Sequence, residues 1–201
     1  MALEDFENGI ELAKKGIVSV DSLCGIENGT IIIRSHGVGK EVYDQIKEKG
    51  LDYIDGTCPF VEKIHDIVFK NYKAGRKIII VGDKNHPEVK GINGWCENSA
   101  IILDTVEEAR GFKFDDSKYT LVAQTTFMIA KFDEITEILK AGCDIDICNT
   151  ICSATEKRQS EAISLSKEVD KMVVIGDKSS SNTQKLLEIC QKNCKFAIHI
   201  E

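Results

Sequence analysis

The chain has 201 residues, of which 42% are hydrophobic and 29% are charged, and its formal net charge is −7. This composition is typical of a soluble globular protein, and the acidic balance disfavours nucleic acid or an anionic membrane as a partner. No apolar run approaches the roughly 18 residues of a membrane span, and the N-terminus lacks the basic and apolar regions of a secretory signal. We therefore expect a cytoplasmic protein that binds neither nucleic acid nor membranes.

Short segments rich in Ile and Val alternate with helical patterns along the chain. In chain order, the predicted elements are strand 30–34, helix 40–49, strand 51–55, helix 60–74, strand 77–82, strand 100–103, strand 119–124, helix 129–140, strand 144–148, helix 154–169, strand 171–176, helix 183–192 and strand 195–200. Gly50 and Gly75 follow their helices at the position that favours a left-handed C-cap. Alternating strands and helices predict parallel sheets with right-handed crossovers, and hence an α/β fold.

The chain repeats itself at a fixed offset. Cys58 and Cys152 are 94 residues apart (152 − 58), and the segments around them, 54–59 and 148–153, correspond at that offset. At the same offset, Ile78-Ile79-Ile80-Val81-Gly82-Asp83-Lys84 corresponds to Met172-Val173-Val174-Ile175-Gly176-Asp177-Lys178. Such self-similarity indicates one folding unit used more than once. Equivalent turns of the copies are therefore predicted to surround one central site.

Polar or metal-ligating residues follow six of the predicted strands. The six turns are Ser35-His36-Gly37, Gly56-Thr57-Cys58-Pro59, Asn85-His86-Pro87-Glu88, Thr125-Thr126, Cys152-Ser153 and Ser179-Ser180-Ser181-Asn182. In open α/β folds, ligands bind beyond the carboxyl ends of the strands. Six such turns in one chain predict a shared cleft.

Two of the eight cysteines are candidate metal ligands, since thiols in a reducing compartment favour metal binding or catalysis over disulfides. Pro59 suits a first helical position, which makes Cys58 the predicted N-cap. Cys152 precedes Ser153-Ala154-Thr155-Glu156, a capping-box pattern. Both thiols are expected at helix N-termini, where the macrodipole favours negative charge. The pair is too far apart for a local zinc finger and suits an iron–sulfur cluster between lobes; the alternative is two buried structural thiols.

Further turn residues predict an anion site and a proton donor. The segment Ser180–Asn182 precedes a helix, whose free backbone N–H groups favour anions, although one of these residues would suffice as a plain N-cap. His36 and His86 can also donate to a phosphate, while a local hydrogen-bond role is the alternative for each. Glu88 is the carboxylate nearest to a histidine of this cleft and is the candidate for proton delivery.

Taken together, the turns resemble the LytB family. The segments that carry the resemblance are Arg34–Val38, Thr57–Pro59, His86–Val89, Gln124–Thr126, Ile151–Thr155 and Ser180–Asn182. They occur in the family's order, and the similarity runs from about residue 20 to the end of the chain. The resemblance implies a fold of repeated small parallel-sheet lobes in a pseudo-threefold arrangement around a central [4Fe–4S] cluster. On that basis we expect a partial lobe over residues 1–57, a complete lobe over 58–149 and a partial lobe over 150–201.

The activity that the resemblance implies is a reductive dehydroxylation in the methylerythritol phosphate route to isoprenoids. It converts 4-hydroxy-3-methylbut-2-enyl diphosphate to isopentenyl and dimethylallyl diphosphates, with an electron donor such as ferredoxin or flavodoxin. By the same resemblance, Cys58 and Cys152 would be cluster ligands, Glu88 would relay protons, and Thr125 would position the substrate hydroxyl and the glutamate. The residues implied to bind the diphosphate are His36, His86, Ser180, Ser181 and Asn182.

The chain also departs from the family pattern. The family's first cysteine motif and its closing serine segment have no counterpart here, and Gly56 stands where a small alanine is expected. These departures predict the middle portion of the enzyme, inactive as a single chain. Cys24 and Cys96 are the other thiols considered for a third ligand, but neither lies in a motif turn.

Three alternative functions stay open from the sequence. The first is a non-catalytic α/β module that binds phosphate without a cluster. The second is a zinc-stabilised or redox scaffold that uses Cys148 and Cys152. The third is a thiol enzyme with Cys58 as nucleophile and His65 as base, which is disfavoured because seven helical positions separate them by about 10 Å.

Overall fold

The computed structural model describes residues 13–142 and 144–201. The prediction about a secretory signal falls on residues 1–12 and lies outside the described residues. Within them, none of the helices is both long enough and apolar enough to cross a bilayer. The strands are β1 (Thr30–Ile33), β2 (Asp52–Asp55), β3 (Lys77–Val81), β4 (Ile101–Leu103), β5 (Tyr119–Ala123), β6 (Ile145–Ile147), β7 (Lys171–Ile175) and β8 (Phe196–Ile200).

Helices lie between successive strands, as the alternating pattern predicts. They are α1 (Lys40–Glu48), α2 (Pro59–Lys73), α3 (Pro87–Gly94), α4 (Val106–Gly111), α5 (Ile129–Lys140), α6 (Ser153–Glu168) and α7 (Ser181–Asn193). Gly50 and Gly75 follow α1 and α2 with φ of 64° and 80°, which confirms the predicted left-handed C-caps. The predicted strands and five of these helices are confirmed to within one or two residues at most ends.

Two helices, α3 and α4, were absent from the predicted elements. Helix α3 contains Gly91 and Gly94, which have low helix propensity. Helix α4 is short, yet its sequence carries a signal: Thr105 and Glu108 form a reciprocal capping box, the Thr105 hydroxyl accepting from the Glu108 N–H at 3.1 Å. The capping box was therefore readable from the sequence, whereas α3 depends on tertiary contacts of its glycines.

All strand pairs are parallel, and the described strands form three sheets. A central sheet has the order β4-β3-β5-β6, and two smaller sheets consist of β1 with β2 and of β7 with β8. This arrangement confirms the predicted α/β class with repeated parallel sheets. The boundaries of the three lobes at residues 57 and 149 stay a prediction.

The main core lies on both faces of the central sheet, because alternate residues of a strand point to opposite faces. Ile79 and Val81 of β3 pack with Leu121 of β5 on the α5 side. Ile78 and Ile80 pack on the other side, against α2 and α3. Burial of β3 and β5 on both faces explains their continuous apolar sequences. It also fixes their carboxyl ends beside the helix N-termini that follow.

Candidate functional site

A cavity of about 680 Å³ lies where the carboxyl ends of strands from the three sheets meet. Its walls contain all nine residues that the sequence singled out. They are His36, Cys58, His86, Glu88, Thr125, Cys152, Ser180, Ser181 and Asn182. The structure thus brings the predicted turns together, from residues more than 140 positions apart in sequence. Their individual chemical roles stay a prediction.

Both cysteines of the cavity are N-cap residues. Cys58 has extended backbone angles, with φ −62° and ψ 134°, and precedes Pro59, the first residue of α2. Cys152 caps α6, and its sulfur accepts from the backbone N–H of Thr155 at 3.4 Å. The capping box predicted for Ser153 and Glu156 is wrong, because the Cys152 thiol occupies the cap position one residue earlier.

Backbone hydrogen bonds attach both cysteines to neighbouring strand ends. The N–H of Cys58 donates to the carbonyl of Ser35 at 3.0 Å, and the N–H of Cys152 donates to the carbonyl of Thr125 at 3.0 Å. Each bond joins the turns that follow two neighbouring parallel strands of one sheet, β1 and β2 for Cys58 and β5 and β6 for Cys152. The main chain therefore holds each cysteine turn beside the end of the adjacent strand.

Glu88 is the buried carboxylate of the site, with only 3% of its surface exposed. Its Oε1 accepts from the backbone N–H of Thr125 at 2.6 Å, and its Oε2 accepts from the Thr125 hydroxyl at 2.7 Å. Burial raises the pKa of Glu88, and this effect outweighs the two hydrogen bonds and the positive charge of Lys185, which act in the opposite direction. A carboxyl group of this kind is suited to hold and release a proton.

The two histidines of the cavity are neighbours, with ring centroids 5.4 Å apart in a T-shaped arrangement. His86 Nδ1 accepts from the backbone N–H of Glu88 at 3.1 Å, which makes His86 the N-cap of α3. Because Nδ1 is an acceptor, the neutral ring carries its proton on Nε2, where it can be donated to a ligand. Burial lowers the pKa of His86 to about 4, with further lowering from His36 and Lys185.

Positive charge and hydrogen-bond donors surround the histidines. Burial, followed by the charge of Arg34, lowers the pKa of His36. Arg34 and Lys90 also line the cavity. A wall that combines cationic side chains, imidazole N–H donors and a helix N-terminus favours an anionic ligand.

That helix N-terminus is the start of α7. The Ser180 hydroxyl caps it by accepting from the Thr183 N–H at 3.3 Å. The Thr126 hydroxyl donates to Ser181 Oγ at 3.1 Å. Asn182 Oδ1 is buried and has no hydrogen-bond partner within the described part of the chain. Because an amide oxygen only accepts hydrogen bonds, Asn182 can contact an anionic ligand through its NH₂ group and not through this atom.

Gln124 and Thr126 support the site, although no role was predicted for either residue. Gln124 is fully buried; its Oε1 accepts from the Asp83 N–H at 3.1 Å, and its Nε2 donates to Thr126 Oγ1 at 3.0 Å and to Ser181 Oγ at 3.4 Å. These bonds connect the ends of β3 and β5 to the start of α7. Both residues belong to the Gln124–Thr126 motif, but their link to Ser181 crosses 55 to 57 positions and had no sequence signal.

The thiols fit an iron–sulfur cluster only in part. Cys58 and Cys152 are soft donors on one cavity, as such clusters require. In residues 13–142 and 144–201, however, no three His, Cys, Asp or Glu side chains are grouped closely enough to hold a metal ion. Cys24 is exposed and Cys96 is buried in the central core, its sulfur donating to the Asn93 carbonyl at 3.2 Å. Neither thiol lines the cavity.

Two residues of the alternative functions lie away from the walls of this cavity in the described part of the chain. Cys148 is partly buried against the central core, and the buried His65 is stacked on Trp95. The fold and the cavity define an α/β protein with an anion-favouring ligand site at the carboxyl ends of its parallel strands.

Known proteins are similar to this chain in both sequence and fold. The LytB protein family profile matches residues 7–201. A 4-hydroxy-3-methylbut-2-enyl diphosphate reductase of Caldanaerobacter subterraneus subsp. tengcongensis is 52% identical, over 95% of this chain and 67% of its own length. A protein of the same name from Clostridioides difficile is 50% identical, over 89% of this chain and 65% of its own length. The chain belongs to the LytB family and spans about two thirds of the length of these curated relatives.

Two solved structures have the same fold. The E-1-hydroxy-2-methyl-but-2-enyl-4-diphosphate reductase from Plasmodium falciparum is 30% identical with a TM-score of 0.87, covering 96% of this chain and 62% of that one. A structure described as (E)-4-hydroxy-3-methyl-but-2-enyl diphosphate reductase, the terminal enzyme of the non-mevalonate pathway, is 35% identical with a TM-score of 0.65, covering 97% and 70%. The family membership predicted from the six turn segments is confirmed.

Proposed function

We propose that the cavity is the substrate and cluster site of a reductase that converts 4-hydroxy-3-methylbut-2-enyl diphosphate to isopentenyl and dimethylallyl diphosphates. The observation that carries the proposal is the location of all nine predicted residues on one cavity, with a buried carboxyl group beside an anion-favouring wall. The names of the curated relatives support the substrate. In the overall reaction, two electrons and two protons replace the allylic C–O bond by a C–H bond and release water.

The chain's own residues bind and orient the substrate in this proposal. The Nε2–H of His86 and the start of α7, with its hydroxyls and the Asn182 side chain, bind the diphosphate. His36 contributes a second imidazole to the same wall. Fixing the diphosphate there places the other end of a small substrate toward Glu88 and Thr125, which line the same cavity.

Glu88 supplies a proton to the departing hydroxyl in this proposal. Its burial favours the protonated form, and Thr125 holds both of its oxygens in a fixed direction. Cys58 and Cys152 would be two of the cysteine ligands of a [4Fe–4S] cluster. When bound, such a cluster supplies one-electron transfers and a Lewis-acidic iron. We further propose that lobes 1–57, 58–149 and 150–201 surround it with pseudo-threefold symmetry, with ferredoxin or flavodoxin as the electron donor and the cytoplasm as the location.

The proposal is tested by metal and sulfide analysis after anaerobic purification, with zinc measured in parallel. We expect iron with a matching amount of sulfide, up to about four of each per chain. Replacing Cys58 or Cys152 by Ser should remove the iron, whereas Cys24→Ser, on an exposed thiol, should keep it. Reduction of the diphosphate substrate by dithionite with a viologen dye then tests the activity.

The other outcomes identify the alternatives. Binding of inorganic diphosphate without iron would indicate a phosphate-binding module that has no cluster. Stoichiometric zinc without sulfide would indicate a metal-stabilised scaffold. Iron that remains after both cysteine substitutions would contradict the assignment of Cys58 and Cys152.

A further inference from the structure

His65 is a buried histidine that the proposed reaction does not use. It lies inside α2, seven residues after Cys58, with 3% of its surface exposed. Its Nε2 is buried and has no hydrogen-bond partner among the described residues. Its ring stacks on the indole of Trp95, with centroids 4.9 Å apart and planes 19° apart. Stacking on Trp95 is therefore the contact that sets the plane of the ring.

The free end of the ring contacts the turn that carries His36. A Cβ atom added to Gly37 would lie 2.5 Å from His65 Cε1, 3.2 Å from its Nε2 and 3.1 Å from the Thr57 methyl group. Gly37 has a φ of 67°, and its N–H donates to the Arg34 carbonyl at 2.9 Å, closing the turn. The imidazole therefore packs directly against the turn backbone, next to His36.

The same group of residues also holds the Cys58 turn. Trp95, on which His65 stacks, donates its indole N–H to the Val38 carbonyl at 3.0 Å, one residue beyond Gly37. The Cys58 N–H donates to the Ser35 carbonyl at 3.0 Å, on the other side of His36. The His65 ring thus lies between the His36 turn and the Cys58 turn. The two hydrogen bonds connect the His36 turn to Trp95 on one side and to Cys58 on the other.

We propose that His65 is a positioning residue: its imidazole sets the His36 turn against the Cys58 turn and thereby places an imidazole donor relative to a thiol. The inference rests on the proposed function only in taking His36 to bind phosphate. Burial lowers the pKa of His65 to about 4 and outweighs the charges of Asp55 and Asp66, which raise it. The ring is therefore uncharged at neutral pH where it packs against Trp95 and Gly37.

The test compares affinities for inorganic diphosphate by calorimetry. His65→Ala removes the ring and should weaken binding by about tenfold or more, the equivalent of one good polar contact. His65→Gln restores atoms near the position of Nε2 and should recover most of the affinity. Val68→Ala is the matched control, because Val68 is fully buried in the same helix but belongs to the central core cluster. It should lower the thermal midpoint without changing the affinity.

Equal losses of affinity in His65→Ala and Val68→Ala would overturn the proposal, since general destabilisation would then explain both. A second test uses Gly37→Ala, whose added methyl group meets the ring. We expect it to lower the denaturation midpoint strongly in the parent chain and much less in the His65→Ala background. Equal effects in the two backgrounds would also overturn it. If the parent chain does not bind diphosphate, the proposed function fails, and this pair of substitutions still decides whether His65 holds the turn.

Discussion

Thr125 donates hydrogen bonds to both oxygens of Glu88, through its backbone N–H at 2.6 Å and through its hydroxyl at 2.7 Å. The two residues are 37 positions apart: Thr125 lies just after the carboxyl end of β5, and Glu88 lies in the first turn of α3. The bonds lower the pKa of Glu88, while burial raises it by more. The protonation of Glu88 therefore depends on the balance between its burial and the opposing effects of the Thr125 hydrogen bonds and the Lys185 charge.

Replacing Thr125 by Val should raise the pKa of Glu88 further, because Val has a similar shape but lacks the hydroxyl donor. The backbone N–H bond remains, so the effect isolates the side-chain bond. A titration of the glutamate carboxyl carbons by ¹³C NMR measures the change. Thr125→Ser, which keeps the hydroxyl, should leave the titration close to that of the parent. A pKa that falls or stays unchanged in Thr125→Val would contradict the assigned bond.

Glu88→Gln should remove a pH-dependent loss of stability. Because the pKa of Glu88 is raised on folding, the unfolded chain loses its proton first as the pH rises past 4.5. The stability that Glu88 contributes below this pH is therefore lost as the pH rises to the folded-state pKa. Gln cannot ionise, so the stability of the variant relative to the parent should increase from pH 4 to pH 7. Denaturant unfolding at several pH values measures it, and a constant difference would show that Glu88 does not titrate abnormally.

His86→Asn should remove a loss of stability that occurs as the pH falls, whereas the loss due to Glu88 occurs as the pH rises. The pKa of His86 is lowered to about 4 on folding, so below pH 6.5 the unfolded chain binds a proton that the folded chain does not. Stability is consequently lost as the pH falls from about 6.5 to about 4. Asn can still accept from the Glu88 N–H as an N-cap but cannot titrate, and its unfolding free energy should fall less over this range.

His86→Ala separates the cap from the titration. It removes the bond from Glu88 N–H to Nδ1 and should cost about 1 kcal/mol relative to Asn at every pH. If the unfolding free energies of the parent and His86→Asn changed with pH in parallel, the lowered pKa of His86 would be contradicted. If the curves of His86→Asn and His86→Ala coincided, the assignment of His86 as the N-cap would be contradicted.

The sequence predicted those parts of the fold that depend on local pattern. The apolar run Ile78–Val81 indicates a strand buried on both faces, and the structure has it there. Helix α3 was not predicted because its glycines are explained only by tertiary contacts. A Cβ added to Gly91 would lie 3.4 Å from the carbonyl oxygen of Gly37. Helix propensity counts against both of its glycines, and only the contact with the neighbouring turn explains them.

The site divides in the same way. Cys58, His86 and Ser181 were found because ligand residues follow the carboxyl ends of parallel strands, and the structure places all three on one cavity. The bridge from Gln124 to Ser181 was not predictable, because no spacing rule connects residues that meet only when β5 and α7 are packed. The same holds for the unpartnered nitrogen of His65, a residue for which the only functional role that the sequence suggested was the disfavoured one of a base beside Cys58.

Gly94→Ala should loosen the contact between the start of α1 and the end of α3. A Cβ at position 94 would lie 2.5 Å from the Gly39 Cα and 2.7 Å from a carboxylate oxygen of Glu41. Gly39 is the N-cap of α1, so its backbone can move only if the start of that helix moves. Overpacking of this kind costs about 1–3 kcal/mol. Trp95, the only tryptophan, is adjacent to Gly94 and its ring lies 5.7 Å from that of Tyr43 in α1, so its fluorescence should report the displacement directly.

Gly111→Ala is the matched control, because Gly111 ends α4 and an added Cβ would meet no atom within 4 Å. It should leave the fluorescence of Trp95 unchanged and stabilise the chain by about 0.4–1 kcal/mol, since Ala restricts the unfolded chain more than Gly. Unfolding in urea, followed by fluorescence, compares the two variants. If Gly94→Ala were as well tolerated as Gly111→Ala, the close approach of Gly39 and Gly94 would not exist in solution. Contacts other than that of Gly39 with Gly94 would then have to hold the His36 turn, which joins β1 to α1.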